Sequence, residues 1–120
     1  MKDVSRILVV DDDPGIGQML TRALARHGFE VDATTSADEA MEKVESGSYD
    51  AALVDLVMPE HNGAELADAL RRQIPGLPIG LMTGYSNSPL LPHFEKSGMA
   101  VFKKPVLIQD LVEFLQKELQ

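Results

Sequence analysis

The sequence predicts an α/β fold in which a parallel sheet is covered by helices on both faces. Five short apolar runs, each about as long as a strand, recur along the 120-residue chain. Between them lie segments whose apolar residues recur at three and four, so that strands and helices alternate strictly. No linker, internal repeat or low-complexity segment interrupts this alternation. We therefore expect a single domain over residues 1–120.

The predicted strands differ in how far they are buried. They lie at residues 7–10, 29–33, 51–54, 77–82 and 99–102. The continuous apolar runs are typical of strands that are covered on both faces. The run 29–33 instead alternates apolar and charged residues, as expected of a strand with one polar face.

Helix boundaries can be read from capping residues. Helices are predicted over about 14–26, 36–46, 64–74, 86–97 and 108–119. Asp13 and Pro14 suit a helix start, and Ser36 with Glu39 has the form of a capping box. The helix at 86–97 is expected to be short, because a proline falls inside it.

Composition narrows the classes of partner. A hydrophobic content of 44% and a charged content of 25% suit a globular domain, and there is no cysteine. The net charge of -8, with only 11 scattered Lys and Arg residues, argues against a nucleic-acid surface. The N-terminal apolar run is too short for a signal peptide or a membrane span. We expect a cytoplasmic protein whose partners are proteins or cations.

Polar residues follow four of the strands, at the edge where carboxyl ends of parallel strands gather. These are Asp11 and Asp12, Asp55, Thr83 and Lys104. Crowded carboxylates favour a cation between them, and oxygen ligands too few for a closed cage suit Mg²⁺. Lys104 offers a positive charge and Thr83 a hydroxyl to a phosphoryl group. Asp55 is the candidate nucleophile, because a carboxylate can take a phosphoryl group as an acyl phosphate.

With these motifs the chain resembles the receiver domain of bacterial two-component response regulators. The matching segments are 9–13 (VVDDD), 55–59 (DLVMP) with Gly63, 82–84 (MTG) and 104–105 (KP). Each motif alone is weak, but four in the right order cover essentially the whole chain. The resemblance implies a flavodoxin-like sheet with strand order 2-1-3-4-5 and five helices.

The resemblance also implies a mechanism. Asp55 would accept a phosphoryl group from a histidine kinase or a histidine phosphotransfer protein. Asp12 would bind Mg²⁺ directly, Asp11 through water, and the backbone carbonyl of Val57 would complete the protein ligands around Asp55. The domain would act as a switch that assists its own Mg²⁺-dependent phosphotransfer and dephosphorylation.

Further roles follow from the same resemblance. Lys104 would pair with the Asp55 carboxylate and then with the phosphoryl group, while Thr83 would reorient toward it. The peptide bond before Pro105 is often cis in this family. Binding to nucleic acid or a membrane is not expected, and the domain would be a monomer or a phosphorylation-dependent dimer.

The sequence departs from the family at three places. The family usually has an aromatic residue three positions before the lysine, where this chain has Val101. Phe102 is expected to point to the opposite face, so that coupling from Thr83 is weaker or takes another route. Tyr85 is placed where it could partly cover the site. The prolines within 86–97 fall where a regular helix would usually dock an output partner.

Two alternatives remain at this stage. In a haloacid-dehalogenase-type phosphatase, Asp11 would be the nucleophile and Asp13 the acid, although Gly15 stands where that motif has Thr or Val. A receiver-like scaffold without phosphate turnover is the other, and the presence of Asp55, Asp12 and Lys104 argues against it.

Overall fold

The computed structural model describes residues 4–56, 58, 63–84 and 98–119. The strands are β1 Ser5–Val10, β2 Phe29–Thr34, β3 Ala51–Asp55, β4 Ile79–Thr83 and β5 Ala100–Lys103. The helices in this part of the chain are α1 Pro14–Ala25, α2 Ala37–Ser46, α3 Gly63–Gln73 and α4 Ile108–Glu118. The predicted helix over 86–97 lies outside the described residues. None of the four described helices has the length and apolar content needed to cross a membrane.

The five strands form one parallel sheet in the order β2-β1-β3-β4-β5. The predicted fold class and strand order are therefore confirmed. Because β1 pairs with both β2 and β3, the chain passes over β1 between its second and third strands. In sheets of this kind, a crevice opens at the carboxyl ends of the strands where the order reverses. The candidate site lies at the carboxyl ends of these strands.

Apolar side chains on the two sides of the sheet form two separate clusters. One, called here the α2/α3 cluster, includes Val10, Val54 and Leu81 and is covered by those two helices. The other, called the α1/α4 cluster, lies on the opposite side and contains Val9, Leu53, Met82 and Phe102, among others. Alternating side chains along each strand are shared between the clusters, which explains why β1, β3 and β4 read as continuous apolar runs.

The helix starts agree with the capping residues in part. Asp13 caps α1, its Oδ1 accepting a hydrogen bond from the amide of Gly15 at 2.9 Å. Ser36 caps α2, its Oγ accepting from the amide of Glu39 at 3.2 Å. The reciprocal half of the predicted capping box is wrong, because the Ser36 amide donates to Thr34 Oγ1 at 3.2 Å instead.

The polar face of β2 is built into a network rather than left in solvent. Asp32 Oδ2 accepts a hydrogen bond from the Tyr49 hydroxyl at 2.6 Å, and Asp32 Oδ1 lies 3.1 Å from Lys43 Nζ. The Arg6 guanidinium lies 4.8 Å from the centre of the Tyr49 ring, within range of a cation-π contact. These contacts tie β2 to α2 and to the loop before β3.

Candidate functional site

Three carboxylates meet at the carboxyl ends of β1 and β3. One oxygen from each of Asp11, Asp12 and Asp55 lies within 4.8 Å of the others. Asp55 is the last residue of β3, and Asp11 and Asp12 follow directly after β1. Only 1% of Asp11 and 3% of Asp55 is exposed, whereas Asp12 is exposed. The sheet therefore brings together the three acids that the sequence placed at this edge, with one of them facing solvent.

Lys104 bridges the two buried carboxylates. Its Nζ lies 3.1 Å from Asp11 Oδ2 and 3.3 Å from Asp55 Oδ2. Burial alone would lower the pKa of Lys104, but attraction by Asp11 and Asp55 outweighs it and holds the pKa above its ordinary value. The ammonium therefore remains charged and neutralises part of the acidic cluster. The sequence pointed to contact with Asp55, and the closer contact with Asp11 was missed.

The position of Asp11 is set by the backbone on either side of it. The Asp13 amide donates to Asp11 Oδ1 at 2.9 Å, and the Asp11 amide donates to the carbonyl of Thr34 at 3.1 Å. Asp11 Oδ2 is a buried oxygen without an assigned hydrogen bond, and the Lys104 ammonium lies 3.1 Å from it as an ion-pair partner. This oxygen can therefore accept a further electrophilic partner.

Oxygen donors of this kind fit a hard divalent cation. The cluster supplies carboxylate oxygens alone, one of them buried and without a hydrogen bond, and Asp12 opens to solvent. Mg²⁺ favours such sites, because it is held by one or two carboxylates and keeps several waters. Val57, whose carbonyl is the further predicted ligand, lies outside the described residues.

Thr83 ends β4 and is completely buried. Its carbonyl accepts a hydrogen bond from the Lys104 amide at 2.7 Å, which continues the pairing of β4 and β5 by one residue. Thr83 and Lys104 are thus neighbours through the backbone. The peptide bond between Lys104 and Pro105 is cis, as the resemblance implies. Tyr85 lies outside the described residues.

Val101 and Phe102 point to opposite faces of β5, as the alternation of strand side chains predicts. Val101 is half-buried and packs on the α2/α3 cluster. Phe102 packs on the α1/α4 cluster, with its ring centre 5.5 Å from that of Phe114 at an interplanar angle of 69°. The only aromatic residue of β5 therefore lies on the side of α4.

Gly63 contacts the backbone of the site, a role that the sequence motif alone did not reveal. A Cβ at this position would collide with the carbonyl oxygen of Asp55 and lie 2.7 Å from Leu56 Cα. The Gly63 amide also donates to the Leu56 carbonyl at 3.1 Å. The signal available in the sequence was a glycine directly before the predicted helix, eight residues after the candidate nucleophile. It allows α3 to begin in direct contact with the end of β3.

Comparisons with known proteins agree with this geometry. The family model described as the response regulator receiver domain matches residues 7–116. The response regulator receiver protein CpdR of Brucella abortus is 32% identical over 117 residues, which cover 97% of this chain and 98% of CpdR. The response regulator TrrA of Thermotoga maritima, solved in complex with Mg²⁺-BeF, is 32% identical and has a TM-score of 0.84. That likeness covers 95% of this chain and 98% of TrrA.

Some relatives are much longer. The transcriptional regulatory protein TcrA of Mycobacterium tuberculosis is 38% identical over 78 residues, which are 65% of this chain but only 31% of TcrA. The family match nevertheless takes in most of β1, all of β2 to β5 and the buried acids, with Lys104 beside them. This chain belongs to the family of response regulator receiver domains.

Proposed function

We propose that Asp55 is the phosphoacceptor of a two-component phosphorelay. The observation that carries the proposal is the setting of Asp55. Its buried carboxylate lies 3.3 Å from Lys104 Nζ and within 4.8 Å of oxygens of Asp11 and Asp12. The donor is the phosphohistidine of a histidine kinase or of a histidine phosphotransfer protein.

The transfer forms one bond and breaks another. An Asp55 carboxylate oxygen attacks phosphorus while the phosphorus–nitrogen bond of the phosphohistidine breaks, and its electron pair passes to the imidazole. The ring leaves neutral because its other nitrogen carries a proton. Asp55 then holds an acyl phosphate. Later attack by water on phosphorus releases inorganic phosphate and restores the carboxylate.

Asp12 and Asp11 are the proposed protein ligands of Mg²⁺, Asp12 directly and Asp11 through water, with Asp55 and the carbonyl of Val57 completing the set. When bound there, Mg²⁺ supplies positive charge to the phosphoryl oxygens. Support comes from the all-oxygen donor set and from the buried Asp11 oxygen that accepts no hydrogen bond.

Lys104 changes partners in this proposal. Before phosphorylation its ammonium contacts Asp11 and Asp55, and afterwards it contacts the phosphoryl oxygens. Thr83 donates its hydroxyl to the same group. A hydrogen bond to a charged group contributes about 1.5–3 kcal/mol, or roughly a tenfold to a hundredfold shift between two conformations. A complete switch needs about 5.5 kcal/mol, so Lys104 and the metal must supply the remainder.

The phosphatase alternative finds no support at Asp13. That mechanism needs Asp13 as the acid beside an Asp11 nucleophile. Asp13 Oδ1 instead accepts the Gly15 amide as the cap of α1, and the cluster of close carboxylates consists of Asp11, Asp12 and Asp55. We infer a phosphoacceptor switch that assists its own transfer and hydrolysis, and whose phosphorylation alters a protein-interaction surface.

The intact mass of the protein after incubation with acetyl phosphate and Mg²⁺ tests the proposal. We expect one phosphoryl adduct that is absent in Asp55→Asn and absent when EDTA is present. An adduct that persists in Asp55→Asn but disappears in Asp11→Asn would favour the phosphatase. If neither acetyl phosphate nor a phosphorylated histidine kinase gives an adduct, the phosphoacceptor proposal is wrong.

A further inference from the structure

We propose that Phe102 is a positioning residue that sets the place of Lys104 and transmits its movement to α4. The proposal deepens the function proposed above, because it assigns Lys104 the role of following the phosphoryl group. The movement of Lys104 would be transmitted to the side of the sheet on which α4 lies.

The three residues of the ion-pair cluster rest on one apolar layer. Asp11, Asp55 and Lys104 each come two residues after a member of the α1/α4 cluster, and those members are Val9, Leu53 and Phe102. Since strand side chains alternate, residues two apart lie on the same side of the sheet. The acidic cluster with its lysine therefore forms the next layer above this cluster.

Thr83 stands on the other layer. It comes two residues after Leu81, a member of the α2/α3 cluster, and Val101 also packs there. A movement at the site can therefore be transmitted to either side of the sheet, depending on which residue moves. Movement at Thr83 passes toward α2 and α3, and movement at Lys104 passes toward α1 and α4.

The half-buried ring of Phe102 lies against two elements. A Cβ on Gly80 of β4 would lie 2.9 Å from Phe102 Cε2, so only a glycine leaves room for the ring there. The ring also packs edge-to-face with Phe114 of α4, with ring centres 5.5 Å apart. Because the Phe102 ring has close neighbours in both β4 and α4, we expect its displacement to reach Phe114.

The backbone joins this ring to the ammonium. Phe102 is paired with Met82 in the register of β4 and β5, and the Lys104 amide donates to the Thr83 carbonyl at 2.7 Å. The strand is therefore held on both sides of Lys103, and Phe102 and Lys104 lie within one paired segment. We therefore expect a shift of Lys104 toward a phosphoryl group to be passed in part through this segment and to move the ring against Phe114.

The test measures how α4 responds to a change at Lys104. Methyl NMR signals of Leu111 and Leu115, which are buried in α4, report on the helix. Lys104→Met is introduced into the wild type, Phe102→Leu, Phe102→Tyr and Val101→Ala, and each protein without Lys104→Met is also treated with beryllofluoride and Mg²⁺. Val101→Ala is the matched control, because Val101 is also half-buried and neighbours Phe102 on the opposite face.

We expect Lys104→Met to shift these methyl signals in the wild type, in Phe102→Tyr, which retains the ring, and in Val101→Ala. In Phe102→Leu the same shift should fall at least twofold. A purely structural role for Phe102 would lower stability in Phe102→Leu without reducing the response to Lys104→Met. Equal responses in Phe102→Leu and the wild type, or an equal loss in Val101→Ala, would overturn the proposal.

The beryllofluoride arm separates this inference from the phosphoacceptor proposal. The phosphoacceptor role of Asp55 is contradicted if the wild type shows no response to beryllofluoride and forms no adduct with acetyl phosphate or with a phosphorylated histidine kinase. The Lys104→Met comparison needs no phosphoryl group, so it still decides whether Phe102 connects Lys104 to α4.

Discussion

Lys104 Nζ lies closer to Asp11 Oδ2, at 3.1 Å, than to Asp55 Oδ2, at 3.3 Å. The lysine is therefore a partner of a proposed metal ligand as well as of the proposed phosphoacceptor. Before the site is loaded it lowers the repulsion between the two buried carboxylates. Any change that removes its charge should affect the stability of the fold as well as phosphotransfer.

Lys104→Met should lower the free energy of unfolding in the absence of metal by roughly 1–3 kcal/mol. Breaking a buried ion pair costs more than this, but 28% of the Lys104 side chain is exposed and water screens the carboxylates in part. Urea unfolding with EDTA measures the loss, and Mg²⁺ should restore at least half of it. Lys103→Met, one residue away and exposed, is the control. Equal losses in the two variants would contradict the bridging role.

Gly63→Ala should destabilise the protein by about 1–3 kcal/mol and slow phosphorylation by acetyl phosphate. The new Cβ would collide with the carbonyl oxygen of Asp55, so the end of β3 must move. Denaturant unfolding and the rate of adduct formation give the two measurements. In Gly84→Ala, where the new Cβ meets no atom of the described residues beyond its chain neighbours within 4 Å, we expect less than about 0.5 kcal/mol. A Gly63→Ala protein as stable as Gly84→Ala would refute the close approach.

Asp13→Ala should cost about 1 kcal/mol of stability and leave the yield of the Asp55 adduct unchanged. The variant removes the acceptor for the Gly15 amide at the start of α1 but takes nothing from the carboxylate cluster. Thermal or urea unfolding beside intact-mass measurement separates the two effects. Ser36→Ala, which removes the cap of α2, should have a similar cost. Loss of the adduct in Asp13→Ala would argue for a catalytic role of Asp13.

The free energy of unfolding should fall at high pH, in part because Tyr49 loses its proton. Burial and then the bond to Asp32 raise the pKa of Tyr49 from 10.0 to about 12. The folded protein thus holds this proton more tightly than the unfolded chain. The contribution is complete below about pH 10 and is lost as the pH rises through about 12.

Urea unfolding between pH 9 and 12 should therefore show a decline that is shallower in Tyr49→Phe, which has no proton to lose. Asp32→Asn is the matched control, because it keeps the hydroxyl of Tyr49 but removes the neighbouring charge. It should also give a shallower decline. Identical alkaline profiles in Tyr49→Phe and the wild type would show that Tyr49 has no part in the decline.

The strands could be located in the sequence because a strand that is buried on both faces appears as a continuous run of apolar residues. The runs at 7–10 and 51–54 became the buried parts of β1 and β3. The same apolar runs placed Asp11, Asp55 and Lys104 at one edge of the sheet, because the carboxyl ends of parallel strands lie at the same edge.

What the sequence left undetermined depends on distances between elements. Whether Lys104 meets one carboxylate or two is fixed by how β3 and β4 separate the end of β5 from the end of β1. The Ser36 amide donates to Thr34 Oγ1 because the end of β2 brings that oxygen within reach. The capping pattern of α2 contains no information about this residue. The contact of Gly63 with Asp55 likewise arises only when α3 folds back on β3.

The bridge formed by Lys104 also sets an electrical balance. Three aspartates and one lysine give the site a formal charge of minus two, which one divalent cation cancels and a monovalent ion cannot. Phosphorylation of Asp55 removes the negative charge of its carboxylate, and the phosphoryl group adds about two. The phosphorylated, metal-loaded site would then carry about one uncompensated negative charge where the sheet buries Asp11 and Asp55. This excess negative charge would persist until hydrolysis. The lifetime of the phosphorylated form would therefore depend on the charges of the surface around the site.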